Sequence, residues 1–354
     1  MSKVNWINHK DIDFDHIKNI LDTSIKINQL TNYGPVVLKL ESYLRKNLQI
    51  DNNKCVIVVA NGAIGLHALV NGINMYNNQK MQYVTQAFTF PSAAQGPLED
   101  AIIVDIDDDM GLDLNELSDK VFDGIVVTNL FGHVVDIDKY VKWTTAHNKI
   151  LLFDNATVPL TYYHGKNSLN YGDGCIISLH HTKPLGYGEG GVIIADIKYE
   201  KMIRQCINFG FNLIDGKVNW NKFGLNGKMS EISASFILDY LSRNFSQIKD
   251  KHIKLYSYFL ENAKNIKDIT VFPNYSDDTP FVSCIPVMFN KEITVDHIHQ
   301  IELNNITSRK YYTPLNLLPK SSACFNNILC FPLHIDINKK VIDRYLNIIK
   351  SICD

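Results

Sequence analysis

The sequence predicts an α/β protein, in which a large, mainly parallel sheet carries helices on its faces and is followed by a smaller α+β unit. Three observations carry this. Short runs rich in Val and Ile recur between helix-like stretches through the first 200 residues. Several runs show no polar alternation, the mark of strands covered on both faces. Past about Asn244 the rhythm changes to a long helical pattern with fewer strands. Strand and helix in alternation give layered α/β architecture, and 354 residues exceed what one core usually organises. The expected division is 1–245, a large domain with an N-terminal helical segment, and 246–354, a small C-terminal domain.

The strand runs are residues 55–60, 82–85, 101–106, 124–129, 150–154, 175–179 and 192–195. Amphipathic stretches at 62–75, 114–122 and 137–147 read as helices between them. Asn61 is a good N-cap for the first of these. Ser230 is a candidate cap for a helix through 241. The later part reads as helix at 247–263, strands near 270–272 and 281–288, and helices at 295–302 and 339–352.

Composition excludes several classes. Hydrophobic residues make up 45% and charged residues 20%, as in ordinary globular chains. Lys+Arg 35 against Asp+Glu 37 leaves a net charge of −2, without the basic excess needed to grip nucleic acid through its backbone. The 7 Cys form no Cys-x-x-Cys pair and several sit in apolar runs, so buried free thiols in a reducing compartment are expected. The first residues, Met1-Ser-Lys-Val-Asn-Trp, form no apolar signal core. No window reaches the ~20 apolar residues of a membrane span. The expectation is a cytoplasmic protein with neither nucleic acid nor membrane as partner.

Three motif matches fail on context. Gly186-Tyr-Gly188-Glu-Gly190-Gly191 satisfies a dinucleotide fingerprint but precedes its strand instead of opening a helix. Asp105-Ile-Asp107-Asp-Asp109 resembles a calcium loop, yet Met110 stands where the sharp turn needs Gly, so a solvated turn is expected. His180 and His181 are adjacent, not one helical turn apart, and no metal site is expected.

Four segments make sense together. Asn61-Gly62-Ala63 opens a helix whose free N–H groups and dipole suit a phosphate. Asp154 ends a buried strand, where ligands bind in open α/β sheets. Ser178-Leu-His180-His-Thr182-Lys183 follows another strand. A partly desolvated Lys there has a lowered pKa and a nucleophilic amine. Asn226-Gly-Lys228-Met229-Ser230-Glu231 suggests a turn and a helix start.

With Phe88-Thr-Phe90-Pro91, Val104-Asp-Ile-Asp107, Phe131-Gly132, Gly172-Asp173-Gly174 and Gly188-Glu-Gly190-Gly191, these segments resemble the DegT/DnrJ/EryC1/StrS sugar aminotransferases over about residues 28–332. The resemblance implies the aspartate-aminotransferase (type I) fold and pyridoxal 5'-phosphate, with pyridoxamine phosphate as its aminated form. Lys183 matches the lysine that carries the cofactor, and Asp154 the carboxylate on its ring nitrogen. Ser178 matches the phosphate hydroxyl, joined by Gly62 and Ala63. Phe90 matches the ring-packing aromatic, and Asn226 the residue that reaches a neighbouring subunit's phosphate. Thr157 stands beside the phenolic oxygen in place of the usual Gln or His. His180, Lys228, Arg309, Tyr311 and Tyr312 are the implied substrate contacts. Ala63 in place of Ser or Thr removes a phosphate contact, and Gly227-Lys228 and Asn316 also depart from the pattern. Lys183, where dehydratase members carry His, argues for amino transfer. The expected partners are L-glutamate and a UDP- or dTDP-linked 4-keto-6-deoxyglucose, aminated at C4 (viosamine-forming) by a homodimer with shared sites. A C3 aminotransferase and a non-catalytic cofactor-binding regulator are the alternatives.

Overall fold

A computed structural model describes residues 3–214 and 216–354. Met1 and Ser2 of the N-terminal stretch read above lie outside the described residues.

Two helices, α1 (Phe14–Lys26) and α2 (Pro35–Asn47), precede the sheet. The main sheet has seven strands: β1 (Lys54–Val59), β2 (Tyr83–Gln86), β3 (Ile102–Val104), β4 (Gly124–Thr128), β5 (Ile150–Asp154), β6 (Gly174–Ser178) and β7 (Gly191–Asp196). Their spatial order is β1-β7-β6-β5-β4-β2-β3. All pairs are parallel except those of β7, which runs antiparallel to both β1 and β6. Every residue of β1, β2 and β4 is buried, as the absence of polar alternation predicted. One face is covered by α3 (Gly62–Asn77), which packs on β1, β6 and β7, and by α5 (Glu200–Cys206) beside it. On the other face, α2 packs on β1 and on α6 (Glu231–Ala263). Between α3 and α5 in the chain, α4 (Ile137–His147) occupies the predicted 137–147.

A single 33-residue helix, α6, runs through position 245 where the sequence places a division. At 1.5 Å per residue it is about 50 Å long. Its first half buries Ala234, Ile237, Leu238, Leu241, Phe245 and Ile248 in the large-sheet core. Its second half buries Leu255, Tyr256, Phe259 and Ala263 in a separate core. That core covers the antiparallel sheet β8 (Ile269–Val271), β9 (Cys284–Phe289) and β10 (Ile328–Pro332). Helices α7 (Val295–Leu303), α8 (Pro319–Asn327) and α9 (Lys339–Cys353) complete this part.

The predicted helix at 114–122 is only a 3₁₀ turn, Leu114–Leu117. Of its apolar residues Leu117 and Phe122 are buried while Val121 is 92% exposed, so no apolar stripe persists for two turns.

Some motif residues prove to be structural. Glu231 accepts hydrogen bonds from Ser24 Oγ (2.6 Å) and from the backbone N–H groups of Val36 (2.7 Å) and Val37 (2.9 Å). It thereby caps α2 from a distance of almost 200 residues, filling the place of the cap side chain that Gly34 lacks. Asp105 accepts from the N–H groups of Lys320 and Ser321 (both 2.8 Å) at the start of α8. Asp107 Oδ1 accepts from Asp109 N (3.0 Å) and Gly111 N (3.1 Å), so the acidic run closes a turn on itself.

Candidate active site

The carboxyl ends of β5 and β6, the first turn of α3 and the segment 307–312 surround a cavity of about 490 Å³. Of the predicted site residues, Gly62, Ala63, Phe90, Asp154, Thr157, Ser178, His180, Lys183, Arg309, Tyr311 and Tyr312 all line it. Asn226 and Lys228 do not. Lys228 Nζ instead donates to Asn226 Oδ1 (2.9 Å) on the outer surface, with the ammonium 4.6 Å from the Phe209 ring centre.

Asp154 is the last residue of β5, held in register between Thr128 of β4 and Ile176 of β6. Its Oδ1 accepts the N–H of Ala156 at 3.0 Å. Burial raises its pKa, opposed by that hydrogen bond and by the charge of Lys183. An ionised carboxylate this enclosed needs a cationic partner, which is the electrostatic demand a protonated ring nitrogen satisfies.

Lys183 follows β6 in a turn, its backbone N–H donating to His180 O at 2.8 Å. The side chain reaches the cavity, ringed by protein, and burial lowers its pKa; Cys284 and Asp154 pull the other way. A lysine so placed carries more free amine at neutral pH than a solvated one.

One end of the cavity lies between α3 and β6. Asn61 Oδ1 caps the helix by accepting from Ile64 N (2.9 Å), and the first helical N–H groups, at Gly62 and Ala63, face the cavity end. A Cβ on Gly62 would come within 3.0 Å of Ser178 Cβ and 3.3 Å of its Oγ. Glycine therefore brings the helix start beside the hydroxyl. Gly191 of β7 pairs with both Val59 and Ser178, and a Cβ there would meet the carbonyl of Asn61 at 2.5 Å. The glycine-rich run thus serves to bring two backbones together.

Ser178 Oγ accepts from His180 N at 3.2 Å. His180 Nδ1 accepts from Thr182 N at 3.2 Å, which leaves Nε2 as the donor nitrogen, 3.4 Å from Glu189 Oε1. Phe90 is 55% exposed although it lines the cavity, so its ring face is open to a ligand. Tyr312 stacks on Phe131 with centroids 5.6 Å apart. Arg309 lies over the rings of Trp6 (5.0 Å) and Tyr311 (5.9 Å), and its Nη1 donates to Tyr311 Oη at 2.5 Å.

Trp6, Ser92, Ser283 and Cys284 also line the cavity and were not picked out by sequence reasoning. Ser283 and Cys284 sit at the start of β9, which reads as core. Trp6 lies in an irregular segment with no periodic pattern to mark it.

An amine, a buried carboxylate and a helix start beside a hydroxyl, all in one cavity, are the donor set of a pyridoxal phosphate site. The DegT/DnrJ/EryC1/StrS aminotransferase family model matches residues 11–347. The chain is 23% identical over 350 residues to a dTDP-4-amino-4,6-dideoxy-D-glucose transaminase of Shigella dysenteriae, covering 92% of each. Among solved structures it superimposes on DesI in the presence of its TDP-sugar product with a TM-score of 0.84 at 20% identity, covering 100% of this chain and 93% of the other. It is similar also to Helicobacter pylori PseC, an aminotransferase involved in pseudaminic acid biosynthesis, with a TM-score of 0.83, 16% identity and 99% of each chain covered. A family match spanning nearly the whole chain, with the lysine in the cavity that the fold leads to, makes this protein a member of the DegT/DnrJ/EryC1/StrS aminotransferase family, the pyridoxal-phosphate-dependent sugar aminotransferases.

Proposed function

We propose that the enzyme moves the amino group of L-glutamate to C4 of a dTDP- or UDP-linked 4-keto-6-deoxyglucose, giving the 4-amino-4,6-dideoxy sugar. The observation that carries amino transfer is the amine of Lys183, pKa lowered, sharing one cavity with buried Asp154. Position C4 is supported by the relative of Shigella dysenteriae, matched over 92% of this chain.

When bound, pyridoxal phosphate supplies a conjugated ring that accepts the electron pair of the donor's Cα–H bond. The chain's own residues do the rest. Gly62 and Ala63 N–H with Ser178 Oγ hold the phosphate, and Asp154 keeps the ring nitrogen protonated by its negative charge. Phe90 would pack on the ring, and Thr157 would stand on the side of its phenolic oxygen. Lys183, once its Nζ is free, would move the proton from the donor's α-carbon to the cofactor, acting as general base and then as general acid. Arg309, held by Trp6 and Tyr311, binds the anionic portion of the substrate, and His180 and Tyr312 border the sugar.

We read the working unit as a cytoplasmic homodimer in which Asn226 and Lys228 serve the partner's cavity. Their position outside their own chain's cavity supports this, as do Leu213, Val218 and Trp220, exposed on the neighbouring Asn212–Ile214/Lys217–Asn219 hairpin. Among the described residues no helix is long and apolar enough to cross a membrane.

Incubating the enzyme with glutamate and either the 4-keto or the 3-keto nucleotide sugar tests the reading. Nuclear magnetic resonance should show a new amine at C4, and amination only at C3 would overturn it. Mixing inactive Lys183→Ala and Asn226→Ala proteins should restore activity through hybrid dimers. Failure to do so, with subunit exchange verified, removes the shared site.

A further inference from the structure

The Lys183 turn is held from below by a residue that no part of the reaction has used. Lys10 lies in the irregular segment that enters the molecule before α1, and it is buried at 7% exposure. Its Nζ donates to the carbonyl oxygens of Lys183 (2.7 Å) and Gly186 (2.5 Å) and stands 5.0 Å from the Tyr240 ring centre. Tyr240 Oη donates to Pro184 O at 3.4 Å. Carbonyls at both ends and in the middle of the turn therefore find their donors in two side chains from elsewhere in the fold.

The turn is also closed from above. Gly186 N donates to Lys183 O at 3.0 Å, and a Cβ on Gly186 would meet His180 O at 2.1 Å. The chain here is pressed between the end of β6 and Lys10, so it cannot shift without breaking the lysine's two hydrogen bonds. Desolvation of a lysine is costly, and its pKa falls to about 7 by burial. An apolar residue would fill this space more cheaply, but it would leave the Gly186 carbonyl without its donor and the Lys183 carbonyl with the Gly186 N–H alone.

The segment that carries Lys10 has a second attachment. Val4 pairs with the 305–307 stretch (Val4 N to Asn305 O 2.8 Å, Thr307 N to Val4 O 3.0 Å), and Trp6 packs edge-on against Tyr311 at 5.8 Å. Residues 4–10 thus strap the substrate-facing stretch around Arg309 to the turn that bears the reacting amine.

We propose that Lys10 is a positioning residue, which fixes the Lys183–Gly186 turn and through it the direction in which the Lys183 amine enters the cavity. The proposal rests on the reading of Lys183 as the reacting amine.

The test compares wild type, Lys10→Met and Lys10→Arg. Lys10→Met should lower kcat at least tenfold with the KM for glutamate within about twofold, because misaligned proton transfer slows chemistry more than binding. It should also move the pH midpoint of the cofactor absorbance band of the loaded enzyme, which a merely less stable fold would leave in place. In the cofactor-free protein, the rate at which acetic anhydride acylates Lys183, followed by peptide mass, should change. Lys10→Arg, which keeps the donors, should recover much of kcat. Wild-type kcat, band midpoint and acylation rate in Lys10→Met would overturn the proposal. Should that variant fail to fold, hydrogen exchange of the wild-type amides at Lys183 and Gly186 decides: slow exchange supports the clamp, and exchange at the rate of an open loop refutes it. The acylation and exchange arms need no sugar, so an error in the substrate assignment leaves them readable.

Discussion

The two walls of the cavity are built by different means. The wall proposed for the cofactor comes from strand ends and a helix start, with Asp154, Ser178 and Gly62 locked in by sheet register and by backbones too close for a Cβ. The wall proposed for the substrate comes from extended segments, with Arg309, Tyr311 and Trp6 held by ring faces and one hydrogen bond between side chains. Rigid elements position chemistry more narrowly than loops do. Lesions in the first wall should therefore register in kcat and spectrum, and lesions in the second in KM.

Lys183→Ala tests this at its strongest. Loss of the amine should lower turnover by about 10³-fold or more and abolish the cofactor's lysine-dependent absorbance. Full activity in that variant would refute the mechanism. Asp154→Asn should follow, with kcat down about 10²-fold through loss of electrostatic stabilisation. The pH dependence has a definite sign. Since burial raises the pKa of Asp154, it is neutralised at a higher pH than a solvated aspartate as the solution is acidified. Cofactor affinity of the wild type should fall as pH is lowered through that range, and equilibrium titration of Asp154→Asn should show a flatter profile. A profile parallel to wild type would remove Asp154 from the interaction.

On the other wall, Arg309→Met should raise the KM for the nucleotide sugar about tenfold, the worth of one charge-assisted hydrogen bond, with kcat within about threefold. A kcat collapse at constant KM would erase the distinction between the walls. Trp6→Ala should have the smallest effect, a two- to fivefold rise in the same KM, in keeping with a cation–π contact at a partly exposed site. Steady-state kinetics at saturating glutamate separates these outcomes.

The same contrast explains what the amino-acid sequence revealed. Lys183, Asp154 and Ser178 were legible because each stands at or just past the end of an apolar strand run, and such ends point at ligands in open α/β sheets. The 137–147 helix was legible from its amphipathic spacing, and the structure adds an Asp136 cap. Trp6 and Lys10 were not, because an irregular segment has no period and its contacts lie about 170 to 300 residues away. The continuity of α6 was hidden by the exchange of one buried face for another along a single helix. Glu231 stood in a family signature yet caps α2, and only the three-dimensional arrangement separates such a support from a reacting group.

Gly191 of β7 has a consequence for how the protein comes to be active. It sits between Val59 and Ser178, which are more than a hundred residues apart and become neighbours only when β7 inserts antiparallel between β1 and β6. The pairing of β7 with β6 is local, but its pairing with β1 is non-local, since a long loop must close before it is rewarded. A chain in which β7 is still free lacks the approach of β1 to β6 that brings Gly62 beside Ser178. A ligand held between Gly62 and Ser178 needs the finished sheet, so it would act on the folding equilibrium by trapping the completed fold, with a stabilisation that grows with its free concentration.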